Sequence, residues 1–443
     1  MRYSLVMLAA LSVLPMQVAA EQTPLSAQPP QLIEASGSAM EFGGSVRLRY
    51  EVKQDFGFGS TAASNTQDYW LSQLRFYMKW QASDKVNVHL EAQDARIHQA
   101  FSDHSISNTS TPNIFEDQLD IHQAYVDVHL NGGDSTLRIG RQKLNIAAQR
   151  LIASLEWVNT ARVWDGLRWT SHFADNQHTV DVFITQLVPV NPTAANNHDT
   201  TGSRMFNSHF NGIYYTNTSW LADLQSEVYL LQRQESMAQD DIQTLGIRLA
   251  YQQGDYDADM EWMNQSGEFG GMNHQASAYH LGAGMKLKAL ATHVGIAYNF
   301  ASGDSDATDN QHQTFDNLYP LNHAYYGFMD FFSLQNMRNA ELVAKTKLSK
   351  NLVLRTAWQG FWLDEEDNDA WYNAGAKAVR QATTDVASDV GQEIDITLIY
   401  KLPKQKMKLV AGYSRFFSGD YIKQTGVSSA EADFLFVQSK WSF

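Results

Sequence analysis

From residue 42 to the last residue, the chain is built of segments about ten residues long in which polar and apolar side chains alternate. No other feature constrains the fold as tightly, because a period of two assigns each side chain to one face of an extended strand. Within 71–80, Leu74, Phe76, Met78 and Trp80 share one parity and Gln73, Arg75, Tyr77 and Lys79 the other. Within 86–91, Val86, Val88 and Leu90 oppose Asn87, His89 and Glu91. Within 393–400, Ile394, Ile396, Leu398 and Tyr400 oppose Glu393, Asp395 and Thr397. Eighteen such segments can be read, at roughly 42–53, 69–81, 85–98, 118–130, 134–142, 161–171, 177–187, 206–217, 221–233, 241–252, 256–265, 276–288, 291–301, 338–348, 351–363, 391–402, 405–417 and 431–443.

The connections alternate as well. One kind is short: Ala82-Ser83-Asp84, Asn131-Gly132-Gly133, Gln253-Gly254-Asp255, Ser349-Lys350 and Pro403-Lys404. The other is mostly long and polar, at about 54–68, 99–117, 143–160, 188–205, 302–337, 364–390 and 418–430. Short turns at one rim and long loops at the other are the pattern of a bacterial outer-membrane barrel, and an even strand count puts both termini at the periplasmic rim. The last strand agrees: Leu435, Val437, Ser439, Trp441 and Phe443 share a face, and the chain ends on Phe. Soluble sandwiches and propellers also alternate. They leave the strand length, the loop pattern and the terminal Phe443 as coincidences. The expected fold is therefore all-β, a transmembrane antiparallel up-and-down β-barrel of about 18 strands.

At the N-terminus Arg2 precedes the apolar run Leu5–Leu14, and Val18-Ala19-Ala20 has the form of a cleavage site. This predicts a secretory signal peptide over 1–20. Residues 21–41 carry Pro24, Pro29 and Pro30 and read as a flexible leader, with the barrel over 42–443. The chain has no cysteine, which excludes disulfide scaffolds and thiolate metal sites and suits an oxidising compartment. Mean hydropathy of −0.37 argues against a helical membrane protein. No HExxH, GxSxG, P-loop or dinucleotide fingerprint is present, and His122 and His129 fall on opposite strand faces. Enzymatic, nucleotide and nucleic-acid roles have no support in the sequence, and the chain is expected not to be an enzyme.

The formal net charge is −15, yet Ser135–Trp169 carries Arg138, Arg141, Arg150, Arg162, Arg168 and Lys143 against only Glu156 and Asp165. Arg162 and Arg168 oppose Val163, Leu167 and Trp169, so the apolar parity is expected to meet lipid and the arginine parity a water-filled lumen. By parity the inward cations are Arg47, Arg49, Arg75, Lys79, Arg138, Arg162, Arg168, Arg248 and Arg355. Arg141 and Arg150 sit where strand becomes loop and are expected at an extracellular constriction or in an infolded loop; Arg96 has the wrong parity. Glu51, Glu91, Asp127, Asp181, Glu227, Asp259, Glu261, Glu341, Glu393 and Asp395 also point inward, so each arginine has a structural reading as a wall ion pair beside its pore reading. The local acids are too few to neutralise the Arg138–Arg168 cluster. Acidic runs at 304–310 and 364–369 fall in loops. Oxygen-rich loops hold Ca²⁺, and the first candidate is Asp304, Asp306 and Asp309, against the plainer reading of a solvated loop. Aromatic residues near strand ends, including Tyr69-Trp70, Phe361-Trp362 and Phe416-Phe417, read as interfacial girdles. Tyr319, Tyr325 and Tyr326 are candidates for stacking on sugar rings.

Gly140-Arg141-Gln142, then Arg150, Trp157-x-Asn159-x-x-Arg162 and Asp165-Gly166, resemble the alginate-export family of outer-membrane barrels. So do Ser302-Gly303-Asp304, Phe315 to Pro320 with His323 and Tyr325-Tyr326-Gly327, and Gly412 to Asp420. The resemblance runs from about Phe42 to Phe443. It implies a monomeric eighteen-stranded barrel in a Gram-negative outer membrane, with an arginine-rich pore passing an anionic polysaccharide outward. Arginine suits that task, because it stays charged and meets carboxylates with a two-pronged fork. The expected function is passive diffusion of an alginate-like polymer. The alternatives are an uptake porin for anionic oligosaccharides or organic acids, and a plugged barrel serving as a surface enzyme or adhesion scaffold. Expected partners are outer-membrane lipid and lipopolysaccharide, the barrel-assembly machinery, the anionic carbohydrate permeant and periplasmic export components. No cofactor is expected beyond the candidate loop Ca²⁺.

Overall fold

The computed structural model describes residues 33–35, 38–57, 66–99, 114–190, 208–381, 383–426 and 431–443. The signal-peptide reading over 1–20 lies outside these residues. Eighteen long strands form one closed antiparallel barrel. They are β1 (Ser38–Gln54), β2 (Gln67–Ser83), β3 (Val86–Gln99), β4 (Asp117–Leu130), β5 (Ser135–Gln142), β6 (Trp164–Phe173), β7 (His178–Leu187), β8 (Ser208–Asn217) and β9 (Leu224–Glu235). They continue as β10 (Asp240–Gln253), β11 (Tyr256–Phe269), β12 (Met272–Leu287), β13 (Thr292–Ala301), β14 (Met337–Lys347), β15 (Leu352–Trp362), β16 (Asp389–Leu402), β17 (Met407–Ser418) and β18 (Ala432–Ser442). Each pairs with its sequence neighbours, and β1 also pairs with β18, which leaves no open edge. Every alternating segment read from the sequence becomes one strand.

The boundaries move where pairing outlasts alternation. β1 starts at Ser38 rather than Phe42, because Ala39, Met40 and Glu41 pair with Gln81, Trp80 and Lys79 of β2. Ile33–Ala35 folds back antiparallel on Ser38–Met40. β11 runs on to Phe269 and β12 begins at Met272, so the connection is only Gly270-Gly271. Both glycines have positive φ, +58° and +78°, the conformation that a two-residue hairpin demands.

The period of two sorts the side chains as expected. Leu48, Leu74, Phe76, Leu90, Ile139, Leu167, Ile184, Ile213, Leu245, Ile296, Leu342, Ile394 and Leu435 are exposed on the outside, the apolar belt that faces lipid. Aromatic doublets split across the wall. Trp70 and Phe417 are exposed, whereas Tyr69, Phe416 and Phe361 turn inward and are buried. Those inward rings belong to a core inside the barrel and not to a girdle.

That core is built by loops. The β5–β6 connection (143–163) and the β13–β14 connection (302–336) fold into the barrel and meet through a parallel bridge, Ile152 with Tyr319. Leu144, Ile146, Leu151 and Ile152 of the first pack with Phe315, Tyr319, Tyr326, Phe332 and Leu334 of the second. The wall contributes Phe183, Phe210, Leu231, Met263, Phe361 and Phe434. Phe332 lies flat on Phe361, ring centroids 3.8 Å apart. Burying one such side chain stabilises by about 1.5–3 kcal/mol, so the loops are held firmly and the extracellular half of the lumen is packed.

Candidate functional site

The lumen divides into two zones. In the extracellular zone the wall charges are buried and engaged by the infolded loops. Arg47 donates to the Glu156 and Val158 carbonyls at 2.7 and 2.9 Å and to Asn159 Oδ1 at 3.1 Å. Arg49 pairs with Glu51 at 2.6 Å, donates to the Trp157 carbonyl at 2.7 Å and lies 3.9 Å from the Trp157 ring centre. Arg75 pairs with the Glu156 carboxylate at 2.7 Å, and Lys143 holds its other oxygen at 2.8 Å. Burial alone would raise the Glu156 carboxyl, but Arg75 and Lys143 outweigh it and hold the group well below the usual carboxylate range.

Arg150 lies in the infolded loop, one of the two places expected for it. Its Nη1 sits 2.8 Å from Glu261 and 3.1 Å from Asp259, both on β11, and its guanidinium lies 4.9 Å from the Tyr325 ring centre. Burial would lower this group; the two carboxylates outweigh it and raise it. Arg162 precedes β6 rather than lying in it. It donates to Pro320 O at 3.0 Å and Ala153 O at 3.4 Å, so one guanidinium clasps both infolded loops. Burial brings Arg162 down to about 10, which leaves it charged at neutral pH.

The periplasmic zone is more open. Arg138 forks onto Asp127 at 2.7 and 2.8 Å and stacks on Tyr125, its side chain 27% exposed. Arg168 pairs with Asp181 at 2.7 Å and is 21% exposed. Lys79, 53% exposed, reaches Glu41 at 3.3 Å. Arg248 bridges Glu227 at 3.1 Å and Asp259, and Arg355 reaches Glu341 at 3.1 Å. The Arg138–Arg168 stretch is therefore neutralised after all, by acids that neighbouring strands and β11 supply. Asp127, Asp181, Asp259 and Glu261 all point inward by parity, but a count confined to the stretch itself does not pair them with its arginines.

Arg141 is a second correction. It lies three residues beyond Arg138 and so takes the parity of exposed Ile139, facing outward, where it forks onto exposed Asp165 at 2.9 and 3.0 Å. That places it neither in a constriction nor in an infolded loop. Arg96 keeps the outward parity expected for it and pairs with Asp94. Tyr319 and Tyr326 are buried, and the Tyr319 hydroxyl bonds Ser208 Oγ at 2.6 Å, while the Tyr325 hydroxyl donates to Ala148 O. All three rings serve loop packing. Asp304, Asp306 and Asp309 turn their carboxylates onto nearby backbone N–H groups, those of Asp306, Thr308 and Gln311. Among the described residues no three His, Asp or Glu side chains converge on a metal-sized site.

One cationic group went unread in the sequence. Lys401 on β16 is directly opposite Lys408 on β17, Lys408 opposite Lys440 on β18, and Lys440 opposite Arg47 on β1. All four share the inward parity of buried Thr397, Val410, Phe436 and Arg49. Like charges directly opposed across a sheet are destabilising. Among the described residues, no carboxylate lies within ion-pair distance of Lys401, Lys408 or Lys440; Glu156 acts on Lys440 from farther away, with its own oxygens held by Arg75 and Lys143. The parity of Lys401 with Glu393 and Asp395 was the signal that could have found the row.

The sequence matches the model of the family described as "Alginate export" over residues 38–436. No curated protein matches it. Among solved structures, Pseudomonas aeruginosa OccK8 (OprE) superposes with a TM-score of 0.62 at 13% identity, covering 91% of this chain and 98% of that one. OccD3 (OpdP) of the same organism gives 0.61 at 10% identity, with 95% and 96% covered. OpdK of that organism, determined with vanillate, gives 0.61 at 12%, with 91% and 98% covered. At these identities the likeness shows the fold, that of outer-membrane porins.

Proposed function

The chain belongs to the alginate-export family, which makes it a channel of the Gram-negative outer membrane and not a member of an enzyme family, and from that premise we propose that it passes an acidic polysaccharide by passive diffusion. The observation that carries this reading is the row Lys401, Lys408, Lys440 and Arg47 on the inner wall, with three lysines that no carboxylate among the described residues pairs. A sheet tolerates such repulsion where the charge has a use, and fixed cations on a low-dielectric wall concentrate anions and speed their entry. Part-exposed Arg138, Arg168 and Lys79 add charged but acid-paired lining around the periplasmic zone, which leaves the unpaired charge to the row. Several weak sites in series let a charged chain advance without being trapped. Because the extracellular zone is packed by the 143–163 and 302–336 loops, passage requires those loops to give way.

A second reading keeps the same lining and changes the permeant. OpdK was determined with vanillate, a small aromatic carboxylate, and a packed lumen admits a small anion after a smaller movement than a polymer needs. Reversal potential under a salt gradient in a planar bilayer, followed by added uronate oligomers, separates the two. Anion-selective current that the oligomers block is the expected result. Anion current indifferent to them transfers the proposal to small organic anions, and cation-selective current overturns both.

A further inference from the structure

We propose that the row from Lys401 to Arg47 is a ramp that takes up an anionic polymer from the periplasm sideways, one acidic unit per strand, rather than end-on along the barrel axis. This rests on the polyanion reading and goes further, naming the entry site and the pose.

The argument is one of register. Lys401 lies one residue from the periplasmic end of β16, Lys408 one residue from the start of β17, and Lys440 two residues from the end of β18. Arg47 lies nine residues beyond the start of β1. The row therefore climbs from the rim to the middle of the wall. Continued, it meets Gln73 of β2 opposite Arg47, then Ala95 of β3 opposite Gln73. Strands tilted by about 40° and set about 4.8 Å apart raise each successive cation by roughly 3 Å. That strand spacing is also comparable with the length of one sugar unit. A chain carrying one carboxylate per sugar can thus set consecutive carboxylates on consecutive cations, which an axial pose cannot do.

The surroundings agree on direction. The β16–β17 turn below the row adds Lys404 and Lys406, whereas the turns on the far side of the barrel carry Asp134, Asp175, Asp223 and Asp255, with Lys288 pairing the last of these at 2.6 Å. The periplasmic rim is thus basic on the sector that bears the ramp and acidic opposite it. At the top of the ramp Arg47 is capped by the carbonyls of Glu156 and Val158, so a polymer that fills the lysines meets the 143–163 loop next. The ramp delivers its load to the segment that must move.

The test uses the full-length protein in planar bilayers and saturated uronate oligomers of two to six units added on the periplasmic side. In the wild type the blocking constant tightens with each unit up to about three and then levels off, as expected for one cation per unit over the three lysines that lie below loop-capped Arg47. In Lys401→Gln/Lys408→Gln/Lys440→Gln, shown folded by heat-modifiable migration, four-unit block weakens by about tenfold, the loss expected of three partly exposed ion pairs. The dependence on length disappears with it. Lys288→Gln, on the far β12–β13 turn, leaves both unchanged. An unaltered length dependence in the triple variant overturns the ramp. Should that variant not fold, the wild-type series decides alone: a plateau at two units, or none by six, overturns it. Failure of the underlying reading looks different, because no oligomer of any length then blocks the wild type.

Discussion

Arg150→Gln tests whether the infolded loops are locked by charge. In the wild type, Arg150 and Arg248 face Glu227, Asp259 and Glu261, two guanidiniums among three carboxylates. The substitution leaves one. Breaking a buried ion pair costs about 3–5 kcal/mol, because the abandoned partner keeps its charge without compensation. Two contacts soften that here. The Tyr229 hydroxyl still donates to Glu261 at 2.7 Å, and Arg248 still holds Asp259. The lower end, about 3 kcal/mol, is the reasonable figure, and at about 1.4 kcal/mol per tenfold it shifts the docked-to-undocked ratio of the loop by roughly two orders of magnitude. Hydrogen exchange over 144–160, measured by mass spectrometry on the folded barrel, reads that ratio directly. Exchange there is expected to rise about a hundredfold, with the barrel strands unaffected and single-channel open probability increased. Arg150→Gln/Glu261→Gln should recover much of the protection, since the orphaned carboxylate is gone. Unchanged exchange in the single variant, or no recovery in the double, refutes the idea that this pair locks the loop.

Two further outcomes follow from the same contacts. His312, in the 302–336 loop, stacks on Phe269 with ring centroids 3.8 Å apart, and burial together with neighbouring His274 brings it down to about 4. In an undocked loop it titrates near 6.5, so the undocked state binds the proton first. Docking stability is complete above about pH 6.5, falls as pH drops toward 4 and loses nothing more below that; hydrogen exchange around 309–317 at pH 7 and pH 4.5 checks this, with His312→Phe expected to flatten the difference. At the other end of the barrel, Phe443 exchanges two backbone hydrogen bonds with Gly44, at 3.0 and 3.1 Å, where β18 closes on β1. Deleting Phe443 removes both, about 1–3 kcal/mol in total, and should lower the heat-modifiable folded fraction in outer membranes; an unchanged fraction contradicts a closing role.

The wall was legible in the sequence because a strand's period is local. Leu74 and Arg75 declare opposite faces without reference to anything distant, and the same rule found β16 from Glu393 to Tyr400. Parity also carried two facts that went unused. Arg138 facing inward already requires Arg141 to face outward, and Glu393 facing inward requires Lys401 to face inward with it. The partners were not legible. Arg150 meets Glu261 across 111 residues of sequence and Arg47 meets Asn159 across 112, distances over which no pattern in one chain pairs a cation with its acid. The infolding lay between these extremes. Leu144, Ile146, Leu151 and Ile152 in a connection expected to be polar signal a loop that buries something, since four aliphatic side chains do not stay in water without cost. What they bury against, Phe315 and Tyr319 of another loop, only the fold supplies.

The two zones of the lumen assign different work to the same residue type. Above, Arg47, Arg49, Arg75, Arg150 and Arg162 spend their donors on loop carbonyls and buried carboxylates, so their positive charge is a fastening that keeps the loops down. Below, the lysine row has no such partner among the described residues, and its charge remains available to whatever arrives from the periplasm. Within the arginine-rich stretch, Arg150 and Arg162 therefore serve the gate, while Arg138 and Arg168 are paired within the wall, and the proposed path is set by lysines that composition alone does not single out. The division also explains why the basic row stops where it does. Arg47 is already bonded to the docked loop, and one strand further the ladder turns neutral at Gln73, whose amide is bonded to Asn159 O at 2.6 Å, so a fifth cation there would lie, like Arg47, beyond the reach of any permeant until that loop moves.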